Sequence, residues 1–100
     1  MKIKVIGDEL TCLGFNLGGV STFLPENRES LAEEFEKSLE DNELGLLLIT
    51  EEKANLIREK VERQKTEGEK PLVVEIPSRA GWKERGKALK LISSVLSIKL

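Results

Sequence analysis

One continuous apolar run, Leu44 to Thr50 (Leu-Gly-Leu-Leu-Leu-Ile-Thr), limits the folds open to this chain more than any other segment. A strand that faces solvent on one side alternates apolar and polar residues, whereas this run has no polar residue before its last position. Such a run is typical of a strand covered on both faces, as in a parallel sheet between two layers of helices. The segment therefore predicts an α/β fold.

Three further segments are predicted to be strands because each is short and apolar and ends at Gly or Pro. They span residues 3–7, 20–24 and 72–76. Between the first two there is room for a short helix at most, closed by the glycine pair Gly18 and Gly19.

Helix signals fill the remaining gaps between the predicted strands. Asn27 is a candidate helix cap, and Ser30 with Glu33 fits a capping box as an alternative start. Thr50 is a good N-cap for the next helix, whose buried face would consist of Ala54, Ile57 and Val61.

Strict alternation of strands and helices predicts a four-stranded parallel sheet with helices on both faces, similar to the flavodoxin or Rossmann folds. A last helix is predicted from about Lys83 to the end of the sequence. We expect residues 1–78 to form the sheet domain and residues 79–100 to form a C-terminal helical segment.

The carboxyl ends of the strands are where such a sheet would bind a ligand. The acidic pair Asp8 and Glu9 follows the first strand, as in phosphoryl-accepting receiver domains that hold Mg²⁺. A receiver also needs an acceptor Asp at the end of the central strand, where this chain has Thr50. A receiver-like regulatory domain is therefore kept only as an alternative.

Other catalytic patterns are incomplete. The glycines between Gly7 and Gly19 match neither a phosphate-binding loop nor a dinucleotide fingerprint. Cys12 is the one cysteine, no Arg precedes Arg28, and the chain has no His to act as a general base or metal ligand. We therefore expect Cys12 to be a small buried residue, and we expect no catalytic site, no metal and no cofactor.

The charge distribution is polarised. The net charge is −2, but residues 1–50 carry 4 basic and 10 acidic side chains, against 12 and 8 in residues 51–100. Nucleic-acid binding is not expected, since Trp82 is the only aromatic residue near the basic C-terminal segment. The N-terminus resembles neither a signal peptide nor a membrane span, which predicts a soluble cytoplasmic protein or one attached to a membrane only through another protein.

The C-terminal segment has more apolar surface than a core helix needs. On a helical wheel its apolar side chains cover an arc of roughly 200°, whereas packing on one core needs about 100°. Partner docking is the preferred interpretation, and the candidate contacts are Lys83, Arg85, Lys87, Lys90, Leu91, Ile98 and Leu100.

Three segments, taken in order, resemble the F subunit of the archaeal and bacterial V/A-type rotary ATPases. The first has the pattern Gly-Asp-x-x-Thr-x-x-Gly-Phe-x-Leu-x-Gly-Val, the second is Leu-Ile-Thr-Glu-Glu-x-Ala and the third is Glu-Ile-Pro-Ser. The motif residues with expected structural roles are Asp8, Thr11, Gly14, Phe15, Glu75, Ile76, Pro77 and Ser78.

The resemblance implies a non-catalytic central-stalk (rotor) subunit that sits on the coiled coil of the D subunit and helps couple ATP turnover to ion transport. It also implies a mobile C-terminal helix that can reach the catalytic and regulatory head subunits. The protein would then be peripheral to the membrane as part of the ATPase complex. A free-standing protein-binding adaptor is the other alternative.

Overall fold

Four parallel strands form the centre of the computed structural model, which describes residues 1–77. The spatial order of the strands is β2-β1-β3-β4, as in a flavodoxin-like sheet, and the predicted α/β fold is confirmed. The C-terminal helix predicted from Lys83 lies outside the described residues. The elements, in chain order, are β1 (Lys2–Ile6), α1 (Glu9–Leu17), β2 (Ser21–Phe23), α2 (Arg28–Leu39), β3 (Leu44–Thr50), α3 (Glu51–Leu56), α4 (Arg58–Glu67) and β4 (Leu72–Ile76).

The sheet is buried by apolar side chains on both faces. On one face, residues of α2, α3 and α4 pack on Ile6, Leu47 and Ile49. On the other face, Phe15 of α1 packs in a cluster with Leu48. Strand β3 supplies residues to both clusters, which explains why the run from Leu44 to Thr50 contains almost no polar residue.

Helix α2 begins one turn earlier than the Ser30–Glu33 capping box would require. Asn27 is the N-cap: its side chain accepts a hydrogen bond from the backbone N–H of Ser30 at 2.8 Å. Ser30 Oγ in turn accepts from the backbone N–H of Asn27 at 3.1 Å. Ser30 therefore closes the capping box at the third helical position, and the prediction that pairs it with Glu33 is wrong.

The single helix predicted after Thr50 is divided at Ile57. This residue has φ −130° and ψ 39°, which ends α3 and starts α4. Ala54, Ile57 and Val61 are all buried, so the predicted apolar face is confirmed. The break lets the chain cross from the central strand β3 toward the edge strand β4 while it keeps this face on the sheet.

The glycine pair closes α1 as predicted. Gly18 is the C-cap residue, and the next residue, Gly19, has φ 83°, a left-handed conformation that side chains disfavour. The turn brings the chain directly into Val20, which is buried beneath α1.

Candidate partner-binding site

Open α/β sheets bind ligands at the carboxyl edge of their strands. Strands β1 and β3 lie side by side there, while the helices that follow them pack on opposite faces of the sheet. In open α/β sheets a crevice forms at such a point. Gly7 and Asp8 follow β1 at this crevice, and Glu51 follows the last residue of β3, Thr50.

The polar side chains at this edge hold helix ends. Asp8 Oδ1 accepts a hydrogen bond from the backbone N–H of Thr11 at 2.8 Å and caps α1. Thr50 Oγ1 accepts from the backbone N–H of Lys53 at 3.4 Å and caps α3. The position that would carry the acceptor carboxylate of a receiver domain is thus a buried hydroxyl with a structural role.

Packing at the crevice is close. A methyl group added at Gly7 would lie 2.8 Å from Thr50 Cγ2, so a side chain there would displace the end of β3. Two atoms at this edge, Asp8 Oδ2 and Thr11 Oγ1, are buried and have no hydrogen-bond partner within residues 1–77.

The Cys12 thiol lies inside the protein, as the sequence predicts. It is 8% exposed, and its Sγ donates to the carbonyl oxygens of Gly7 at 3.6 Å and Phe23 at 3.4 Å. Burial raises the pKa of the thiol above its ordinary value, which opposes formation of the nucleophilic thiolate. Cys12 therefore packs as a small apolar residue.

The remaining motif residues divide between the core and an ionic network. Phe15 and Ile76 are buried in the same cluster, whereas Gly14 is exposed on α1. Pro77 is half-buried at the end of β4, and Ser78 lies outside the described residues. Most of this motif thus serves the fold.

Glu75 connects β4 to α4 through two cations. Arg58 donates from Nη1 to Oε2 at 2.7 Å and from Nη2 to Oε1 at 2.8 Å, a bidentate geometry. Lys65 also donates to Oε2. Hydrogen bonds from Arg58, and then from Lys65, lower the pKa of Glu75 to about 2.

This depressed pKa predicts an acid-dependent loss of stability. Replacing Glu75 by Gln removes the charge that binds Arg58 and Lys65, and we expect the free energy of unfolding at pH 7 to fall by about 1–2 kcal/mol. The stabilisation is present above the unfolded pKa, about 4.3, and is lost as the pH falls toward 2. Urea unfolding at pH 7 and at pH 3 should therefore show a smaller difference between wild type and Glu75→Gln at pH 3.

A matched control is Glu62→Gln. Glu62 contacts the same Arg58 at 2.9 Å, but its side chain is 51% exposed, against 18% for Glu75. We expect Glu62→Gln to cost less than about 0.5 kcal/mol at either pH. If Glu75→Gln and Glu62→Gln lower the free energy of unfolding equally, the stabilisation by this network does not depend on the burial of Glu75.

An apolar surface is present on α1, and its residues were not among the predicted contacts. Leu10, Leu13 and Leu17 are 44%, 55% and 82% exposed and lie on the side of α1 opposite its buried residues. The repeat of Leu at i, i+3 and i+7 within residues 9–17 is the sequence signal that could have revealed this face. We call it the α1 leucine face.

The contacts predicted in the C-terminal segment, from Lys83 to Leu100, all lie outside the described residues. Within residues 1–77, no three His, Cys, Asp or Glu side chains are grouped so that they could hold a metal ion. No helix in that same range has the length and hydropathy needed to cross a bilayer.

Comparison with known proteins gives one consistent family. Residues 3–92 match the family model described as ATP synthase (F/14-kDa) subunit. The chain is 36% identical over 97 residues to the A-type ATP synthase F subunit of Thermococcus kodakarensis, covering 92% of this chain and 89% of the relative. It is 32% identical over 84 residues to the A-type ATP synthase F subunit of Methanothermobacter thermautotrophicus, covering 84% and 79%.

A eukaryotic relative extends this similarity. The chain is 34% identical over 89 residues to the V-type proton ATPase F subunit 1 of Drosophila melanogaster, covering 77% of this chain and 70% of the relative. The match to the family model includes all of the described sheet except Lys2, and it also includes most of the residues that follow the sheet.

Proposed function

Because this chain belongs to the F-subunit group of V/A-type ATPase proteins, we propose that it is a non-catalytic central-stalk subunit that binds the coiled coil of the D subunit. In this role it helps couple ATP turnover to ion transport and stays on the cytoplasmic side, peripheral to the membrane. The match of residues 3–92 to the family model carries the proposal.

The chemistry of the carboxyl edge supports a binding role. Asp8 and Thr50 each cap a helix, and the Cys12 thiol is buried against two carbonyl oxygens. The side chains that stand where α/β proteins place catalytic groups are thus used to hold the fold together. Such a domain binds other chains and holds them in position.

The C-terminal segment is the second part of the proposal. Residues 78–100 carry six basic side chains against one acidic one, Glu84. We assign Lys83, Lys87 and Lys90, which share one side of a helical wheel, to contacts with the coiled coil or with the head subunits. The apolar members of the predicted set, Leu91, Ile98 and Leu100, would dock on the same partner.

Co-expression with the D subunit of the same ATPase tests the proposal. We expect the two chains to co-purify as a 1:1 complex that persists at micromolar concentration on size exclusion. A triple variant with Lys83→Glu, Lys87→Glu and Lys90→Glu should weaken binding of the coiled coil or head subunits, because it reverses the charge of the basic stripe.

Two outcomes would contradict the proposal. If wild-type chains do not associate with the D subunit, the stalk assignment is wrong and the adaptor hypothesis gains support. If the triple variant assembles and couples ATP turnover to ion transport as well as wild type does, the assignment of the basic stripe is wrong. A charge reversal of the same sign at an exposed residue of the described domain, such as Lys37→Glu on α2, is the control for a nonspecific charge effect.

A further inference from the structure

Among residues 1–77, the α1 leucine face takes no part in either apolar cluster of the core. At about 100° per residue, Leu10, Leu13, Gly14 and Leu17 fall on one side of α1, and the buried residues fall on the other. An apolar stripe of this kind is normally turned toward a core. Here Phe15 and its buried neighbours already attach α1 to the sheet, so the leucines face outward.

Gly14 lies within this face, and among the described residues neither a close contact nor a positive φ requires a glycine there. A methyl group added at Gly14 would meet no atom of the described residues within 4 Å, and the residue does not have a positive φ. Glycine inside a helix costs stability relative to Ala. A glycine among exposed leucines does allow the backbone of a second helix to approach closely.

The charge of residues 5–27, the stretch that contains α1, indicates what kind of helix would fit on this face. Residues 5–27 contain Asp8, Glu9 and Glu26 and not one Lys or Arg. The last turn of α1 carries no basic residue, so the negative end of its dipole is unneutralised by its own side chains. Lys4 precedes this stretch and is bound to Glu34 on the opposite face of the sheet. This charge favours a partner with basic flanks.

We propose that the α1 leucine face receives one α-helix of a partner protein, with apolar side chains seated beside Gly14 and Lys or Arg on its flanks. This inference rests on the proposed function, since the partner is then the coiled coil of the D subunit. Such a helix needs an apolar stripe on its outer side in addition to the one that pairs the two helices of the coiled coil. A second copy of this chain fits less well, because the acidic side chains beside one α1 leucine face would then lie against those of the other copy.

Binding of the purified D subunit to the full-length chain, measured by calorimetry, tests the inference. We expect Leu13→Ser to raise Kd by roughly 10-fold or more, as for apolar side chains at the centre of an interface. Gly14→Ala should raise Kd as well, while raising the Tm of the isolated chain by roughly 2–6 °C. Leu72→Ser is the matched control, because Leu72 is 63% exposed on β4, at the other edge of the sheet.

Each alternative gives a different result. If wild type does not bind the D subunit, the proposed function is wrong. If wild type binds and both α1 variants bind equally well, the proposed function stands and this inference is overturned. A fall in the Tm of the isolated chain with Gly14→Ala would assign the face to another segment of this chain. If light scattering shows that wild type is a dimer and that the α1 variants are monomers, the α1 leucine face binds a second copy of this chain. Either of these last two results would also overturn the proposal.

Discussion

We expect Phe35→Ala to lower the free energy of unfolding by about 3–5 kcal/mol, the usual cost of emptying a buried aromatic site. Phe35 is 0% exposed and packs in the cluster that joins α2 to the sheet. Its neighbours Leu47 and Ile49 belong to β3, which is paired on both sides and has little freedom to collapse into a cavity. Because a domain of this size has a total stability of about 5–15 kcal/mol, the variant should be close to unfolding at 37 °C.

Urea unfolding followed by circular dichroism measures this loss. Phe23→Ala is the matched control, since Phe23 is only partly buried at the margin of the same cluster. We expect Phe23→Ala to cost less than half as much as Phe35→Ala. Equal costs for the two phenylalanines would mean that the cluster is not the main support of α2.

The second large effect is expected at Lys4, whose ammonium group lies between β1 and α2. It donates to Glu34 and, at 3.0 Å, to Ser38 Oγ, and the side chains of Lys4 and Glu34 are only 20% and 15% exposed. Lys4→Met leaves the Glu34 carboxylate largely buried without its cation. We expect this variant to lose about 2–4 kcal/mol of stability.

A double variant separates the value of the ion pair from the cost of breaking it. Lys4→Met combined with Glu34→Leu replaces both charges by apolar groups, and we expect its stability to return to within about 1 kcal/mol of wild type. Lys60→Met is the control, because the Lys60–Glu36 pair at 2.9 Å is 40% and 52% exposed and should contribute little. A double variant as unstable as Lys4→Met would show that the charges themselves stabilise the fold.

The features that the sequence predicts well are those set by strong local patterns. The run from Leu44 to Thr50 predicts a strand buried on both faces, and β3 has those bounds. Thr50 directly precedes a helical pattern and is therefore predicted to be a cap. The hydrogen bond that its hydroxyl accepts from the backbone N–H of Lys53 confirms this. The family resemblance rests on residues such as Phe15 and Ile76, whose burial in one cluster explains why they accompany this fold.

The features that the sequence does not predict depend on tertiary contacts, on backbone conformation or on which side of a helix is buried. Lys4 sits inside an apolar strand, and only its contact with Glu34, thirty residues away, shows why a charge is tolerated there. The break at Ile57 interrupts a helix whose apolar spacing continues unchanged, so spacing alone could not reveal it. The Leu repeat in α1 is visible in the sequence, but the sequence does not show that this repeat faces away from the sheet.

The packing of Phe15 also determines how a mechanical force on α1 would be transferred to the sheet. Phe15 is 1% exposed and belongs to an apolar cluster that also contains residues of β1, β3 and β4, so α1 packs on the same core as these strands. The backbone pairing between β1 and β3 then joins the two central strands along their length. A force applied to α1 would therefore pass through this cluster to the paired central strands, and the domain would move as one piece with a partner bound to that helix.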